Sequence, residues 1–136
     1  CIKSLDEVRS DFQLTRINEF VKIEKLDVEI RCYITNVSGN GELETVLKAI
    51  KSKDSTYADC LDAWKNCLTS KGKTIKDKDF DKFWVNNYLR FDTCKSSEKG
   101  QADKKCRGEI AIKKDIWDFT NPILDDLKSF LTSLSR

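Results

Sequence analysis

The chain has 136 residues, with 25 Lys and Arg against 23 Asp and Glu, six cysteines and no histidine. That length suits one ordinary domain able to bury a core. A net charge of +2 is too small for a dedicated nucleic-acid binder, and the missing histidine removes the commonest general base and metal ligand.

One proline and five glycines argue against a many-turned β-sandwich. No apolar run approaches the roughly 20 residues of a membrane span. Cys1 reads as the first residue of a processed chain, which implies a removed leader upstream.

In chain order, Ser4-Leu5-Asp6-Glu7 has the form of a capping box. Leu5, Val8, Phe12, Ile17 and Phe20 follow at helical spacing. Leu26, Ile30, Tyr33, Ile34 and Val37 continue one helical face. Val28 and Ile30 also alternate with acids, so a short strand over 26–34 competes. Helix is preferred, because the surrounding spacing is helical and no partner strand is evident.

Ser38-Gly39-Asn40-Gly41 breaks the pattern. Leu43, Val46, Leu47 and Ile50 then predict a short helix. Asp54 or Ser55 caps the next one, whose expected buried stripe is Tyr57, Cys60, Leu61, Trp64, Cys67 and Leu68. Gly72 closes it. Phe80, Phe83, Trp84, Asn87 and Tyr88 mark a helix starting near Asp77. Residues 95–105 read as a polar loop and 110–119 as helix. Asn121-Pro122 is an N-cap with proline at the first helical position. Leu124, Leu127, Phe130, Leu131 and Leu134 form a last amphipathic helix. The expectation is one all-α, disulfide-stapled domain over 1–136 with five to seven helices.

The cysteines are Cys1, Cys32, Cys60, Cys67, Cys94 and Cys106. An even number without metal spacing reads as three disulfides in a secreted protein. Cys60 and Cys67 lie about 10 Å apart along one predicted helix, beyond the ~7 Å that a disulfide spans. Each must therefore reach another element. Antiparallel helices joined near Gly72 bring Cys94 nearer the height of Cys60. Cys60–Cys94 is the preferred bridge, with Cys1–Cys32 and Cys67–Cys106 as the remainder. An interlocked order of Cys1–Cys60, Cys32–Cys94 and Cys67–Cys106 stays open.

Little in the sequence points to catalysis. There is no C-x-x-C pair, nucleophile elbow or phosphate loop. Asp77-Lys78-Asp79-Phe80-Asp81 begins like a calcium loop, but Lys82 and Tyr88 stand where glycine and glutamate belong. The plainer reading is an acidic helix start. Asp62, Asp125 and Asp126 are lone surface acids. No catalytic, cofactor-binding or metal-ligating residue is expected, no cofactor is implied, and the chain does not read as an enzyme.

Asn36-Val37-Ser38 is a glycosylation sequon, which makes Asn36 a candidate modification site. Basic residues concentrate between 95 and 114. They form either a solvated surface or an anion-facing patch. In the second case Lys104, Lys105, Arg107, Lys113 and Lys114 are the partner-binding candidates, with Phe91 and Trp84 as aromatic anchors. The three tryptophans suit either a packed core or the lining of a ligand cavity.

A small, lysine-rich, helical chain with six cysteines resembles salivary proteins of blood-feeding insects. The segment Tyr57-Ala58-Asp59-Cys60 through Asn66-Cys67-Leu68, followed by Lys-rich stretches, Cys94 and Cys106, resembles mosquito salivary inhibitors. These include the albicin-type complement inhibitors and the C-terminal domains of the aegyptin type. Odorant-binding and D7-type carriers are a second resemblance, although their C-x3-C pair is absent. The first resemblance implies a secreted, non-enzymatic inhibitor of a host extracellular complement or haemostasis protein. The second implies a carrier for a small apolar or amine ligand, in a cavity among Trp64, Trp84 and Trp117.

Overall fold

The computed structural model describes residues 19–23, 26–37 and 41–134. The expected capping box at Ser4, the apolar face from Leu5 to Ile17, the break at Ser38-Gly39-Asn40 and any Cys1–Cys32 bridge lie outside them. The described chain is mainly helical, with one two-stranded sheet and one disulfide. It divides into two compact units, residues 35–125 and residues 1–34 with 126–136.

In the larger unit, Gly41 adopts φ +97°, where an added Cβ would fall 2.6 Å from the Thr45 hydroxyl. Helix α1 (Leu43–Ala49) follows and buries Val46 and Leu47. Helix α2 (Thr56–Ser70) ends where Lys73 N–H donates to Leu68 O and Gly72 N–H to Thr69 O. Gly72 takes the left-handed conformation that this double closure requires.

Helix α3 (Asp77–Asn87) supplies the core and runs on into a π-helical turn, Tyr88–Asp92. Phe80, Trp84, Val85, Tyr88 and Leu89 are all buried. The Trp84 and Tyr88 rings stack at 5.4 Å, and Tyr88 meets Trp117 at the same distance. The Tyr88 hydroxyl donates to Ile116 O at 3.0 Å and accepts from Lys53 N–H at 3.1 Å. Burial pushes its pKa up against the backbone hydrogen bonds from Lys53 and Ser52. A polar clip ties α1 to α3: Thr45 Oγ1 donates to Asp81 Oδ2 at 2.7 Å, and Lys48 pairs with Asp81 at 3.5 Å.

Three expectations need correction here. Helix α2 buries only Ala58, while Tyr57, Cys60, Trp64 and Cys67 of its expected inward stripe are exposed. Its inward face is Ala58, Leu61, Lys65 and Leu68, centred about 80° around the helix from the expected stripe, with Leu61 and Leu68 common to both. The expected helix over 110–119 is shorter: α5 (Gly108–Ile112) stops because the next residues pair with the end of α1. Ser52 N–H donates to Ile116 O and Asp118 N–H to Ile50 O, and Trp117 Nε1 donates back to Ala111 O. Within the polar 95–105 segment, a 3-10 turn (Lys99–Gln101) and α4 (Ala102–Lys105) replace part of the expected loop.

In the smaller unit, β1 (Val21–Ile23) and β2 (Val28–Ile30) form an antiparallel hairpin with Ile23 opposite Val28. The helix preferred for 26–34 is therefore overturned in favour of the competing strand. The missed partner was Val21-Lys22-Ile23, and Asp27 at φ +48° makes the turn, a conformation that Asp tolerates better than most residues. The expected terminal helix is present as α6 (Asp125–Ser133). It follows a 3-10 turn over Pro122–Leu124, capped by Asn121 Oδ1 accepting from Ile123 N–H at 3.1 Å. Arg31 lies between the Phe20 and Phe130 rings, at 5.3 and 5.0 Å from their centroids, and donates to the Ser133 hydroxyl.

Candidate functional site

The one disulfide among the described residues joins Cys94 to Cys106, with Cα atoms 5.6 Å apart. This excludes the expected Cys60–Cys94, Cys32–Cys94 and Cys67–Cys106 bridges. Cys60 and Cys67 carry exposed free thiols, and Cys32 forms no bridge among the described residues. The failure has a physical source. The π turn brings Asp92 onto the start of α2, but Cys60 and Cys67 stand on the exposed side of that helix, whereas α4 carries Cys106 back to Cys94 only 12 positions on.

The bridge closes the lysine-rich segment into a fixed loop. Glu98 reaches inside it and accepts from Lys114 Nζ at 2.6 Å and Lys95 N–H at 3.0 Å. The bond from Lys114, then that from Lys95, holds the Glu98 carboxyl below its usual range. Cys94, Glu98 and Cys106 offer ligand atoms within 4.8 Å of one another. They are not a metal set, because each sulfur is bonded to the other.

The expected basic patch is split. Lys114 turns inward onto Glu98 with its side chain 18% exposed, and Lys113 pairs with Glu109 along α5 at 2.6 Å. Lys104 and Lys105 are exposed and lie in no ion pair among the described residues. Arg107 leans loosely on Asp103, at 3.8 Å.

Lys104 and Arg107 meet a feature that the sequence reading missed. A hollow of about 280 Å³ is walled by Phe83, Phe91, Arg90, Arg107 and Asp103, with Asn86 and Asn87 at its side. A second depression of about 330 Å³ shares Arg90 and Asp103 and adds Lys99 and Lys104. Together they line one surface with four cations and one carboxylate. Asp103 holds Arg90 at 3.5 Å, while Phe83 and Phe91 are 41% and 53% exposed. Phe91 packs on Tyr57 at 6.1 Å, and Phe83 on Trp64 at 5.4 Å. Phe83 sits at helical spacing with core residues and so read as core. Arg90 lies outside the 95–114 cluster, and only the fold brings it beside Asp103.

The larger hollow nearby, about 590 Å³, is different in kind. Its wall is nearly all charged, with Ile116 its one apolar residue. Lys53 pairs with Asp115 at 3.2 Å there. Asp92 accepts from Tyr57 N–H at 2.9 Å and Ala58 N–H at 3.0 Å, so this wall also caps α2. The three tryptophans do not share a cavity. Trp84 and Trp117 are packed on Tyr88, whereas Trp64 is 41% exposed.

One more cluster has the look of a site. Ser55, Asp59 and Lys51 are mutually hydrogen-bonded, and Trp84 Nε1 donates to Asp59 Oδ1 at 3.2 Å. Ser55 is only 4% exposed and its hydroxyl is held by Asp59, so the cluster is a structural clasp. The acidic start at Asp77 likewise forms an ion pair, with Lys65 at 2.7 Å, at the N-terminus of α3. Asn36 is half-buried, and Ser38 of its sequon lies outside the described residues.

The chain belongs to a family described as "Protein of unknown function (DUF3226)", whose model matches residues 5–136. No curated protein and no solved structure matches it. No helix among the described residues is long and apolar enough to cross a membrane.

Proposed function

We propose that the chain is a secreted, non-enzymatic binding protein. In its specific form it is a salivary inhibitor that engages an acidic surface of a host complement or haemostasis protein. The observation that carries this reading is the hollow where exposed Phe83 and Phe91 meet Arg90 and Arg107. Aromatic and arginine side chains dominate binding hot spots. The four cations around Asp103 suit a partner of opposite charge. The Cys94–Cys106 bridge fixes part of this surface in advance, which lowers the ordering cost of binding.

The test uses two plasma assays: lysis of unsensitised red cells by serum complement, and clotting time. The parent protein is expected to inhibit one of them. Replacing Phe91 by Ala and Arg107 by Glu together should weaken that inhibition at least about tenfold, roughly 1.4 kcal/mol, with an unchanged circular dichroism spectrum. Equal inhibition by parent and variant would move the interface elsewhere. No effect of the parent in either assay would remove the inhibitor reading.

One observation favours a second reading, a carrier for a small amine. Asp54, Asp92, Glu98 and Asp115 all line the 590 Å³ hollow. An amine would compete with the lysines already there. Calorimetric titration with tryptamine checks it, and no heat at millimolar ligand would discard it.

A further inference from the structure

The two thiols that the expected bridges left over lie on one side of α2, and that side has an unusual surface. Thr56, Cys60, Ala63, Trp64, Cys67 and Ser70 are all exposed. At about 100° per residue they occupy an arc of about 120°. The charged residues of the helix, Asp59, Asp62 and Lys65, all lie off this arc. In a chain with 35% charged residues, an exposed uncharged arc of four turns marks a contact face.

We propose that this face is the interface between two copies of the chain, joined by two reciprocal disulfides from Cys60 of each copy to Cys67 of the other. The face is self-complementary when two α2 helices run antiparallel and cross between Ala63 and Trp64. Residues whose numbers sum to 127 then stand at equal height, and Cys60 with Cys67 is such a pair. Trp64 meets its own copy across the two-fold axis. Ala63, on the other side of the seam, lets the backbones approach. A two-fold interface needs this reciprocity: what i makes with j, j makes with i.

The distances agree. Packed helices stand about 8–10 Å apart, and each Cα lies about 2.3 Å from its axis. For residues pointing at one another across a separation of about 10 Å, the Cα atoms come within about 5.4 Å, inside the usual disulfide range. Cys60 and Cys67 point within about 20° of each other around the helix, so one orientation aims both at the partner. Within one chain they are about 10 Å apart and cannot bond.

The oxidant is a small-molecule disulfide such as glutathione disulfide. One cysteine thiolate attacks it and releases one glutathione. The thiolate of the second copy then displaces the other glutathione from the mixed disulfide. Each bridge gives up two thiol protons and two electrons, and one glutathione disulfide becomes two glutathiones. A dimer built this way carries two copies of the Phe83–Arg90 surface, so a partner with two acidic sites would be held with avidity.

The experiment oxidises the full chain in a glutathione buffer and reads non-reducing gels, intact mass and cross-linked peptides. The expected product is a covalent dimer lost on reduction, with the Cys60 peptide joined to the Cys67 peptide. Cys60→Ser alone and Cys67→Ser alone should each abolish the covalent dimer, because every bridge needs one cysteine of each kind. Mixing the two single variants should restore a dimer with one bridge. Trp64→Lys should reduce the parent's dimer yield severalfold at unchanged circular dichroism. A monomeric product, bridges from Cys60 or Cys67 to Cys1 or Cys32, or Cys67–Cys67 dimers in the Cys60→Ser variant would each overturn the proposal. None of these readouts involves a host protein, so they stand apart from the inhibitor reading.

Discussion

Helix α3 buries Phe80, Trp84 and Val85 within 11 residues, whereas α2 buries only Ala58 within 15. Both carry a tryptophan and an apolar stripe, and both read as core-facing in the sequence. The difference lies in what each stripe meets. Trp84 is enclosed by Tyr88 of the following π turn, by Lys48 and Lys51, and by Asp59, which accepts its indole N–H. Among the described residues, Trp64 meets the edge of the core through Phe83. An apolar stripe therefore reports that a surface wants a partner. It does not say whether the partner is in the same chain.

The sharpest way to break this comparison is to truncate both tryptophans. Trp84 is fully buried, so Trp84→Ala should destabilise by about 3–5 kcal/mol. Trp64→Ala should lose no more than about 1 kcal/mol, from one aromatic pair and partial burial. Denaturant unfolding of the reduced, monomeric protein checks both. Equal losses would mean that α2 is as much a core helix as α3.

The disulfide comes next in size. Reducing Cys94–Cys106, or replacing both cysteines by alanine, should destabilise by about 3 kcal/mol for a loop of this length. The effect should fall on the 94–106 segment and the adjoining arginine hollow and leave α2 helical. Hydrogen exchange resolves the two regions. Loss of protection in α2 as large as that in α4 would show that the loop and α2 unfold as one unit.

Much of this contrast was legible in part. The helices around Val46, Trp84 and Leu127, the Gly72 stop and the Asn121 cap follow from periodicity and local hydrogen bonding, which are short-range. What failed was long-range. The strand at Val28–Ile30 needed a partner seven residues upstream that three apolar-alternating residues barely signal. The early end of α5 is set by Ile50 and Ser52. The Cys94–Cys106 pair depends on a π turn, which shifts the chain's exit by a fraction of a helical turn. The candidate surface was half legible: Lys104, Arg107 and Phe91 were singled out, but Arg90, Asp103 and Phe83 joined them only through the fold.

A smaller effect separates the two helices at their N-termini. Helix α3 begins on its own acids, Asp77 and Asp79, whereas α2 borrows the Asp92 carboxylate from beyond α3. Asp92→Ala should destabilise by about 1 kcal/mol, the usual value of an N-terminal cap. Asp77→Ala should matter less, since its pair with Lys65 is exposed. If Asp92→Ala and Asp77→Ala are equivalent in thermal unfolding, α2 does not depend on α3 for its start.

The smallest expected effect is the response to acid, which both helices share, since Lys65 holds the exposed Asp77 carboxyl of α3 low as well. Burial raises the pKa of Asp59 on α2, but hydrogen bonds from Ser55 and Lys51, the Lys51 charge and the Trp84 N–H outweigh it and hold the carboxyl low. A carboxylate lowered in the folded state contributes stability above its unfolded value, about pH 3.9. That contribution is lost as pH falls through the folded value, because the unfolded chain then binds the proton first. Unfolding free energy should therefore be flat from pH 7 to about pH 5 and decline below about pH 4. Asp59→Asn should make the decline shallower. It should also weaken the contact between α2 and Trp84, visible as a change in tryptophan fluorescence. An unchanged acid limb in the variant would assign the low carboxyls elsewhere, first to Glu98, which Lys114 holds low in the same way.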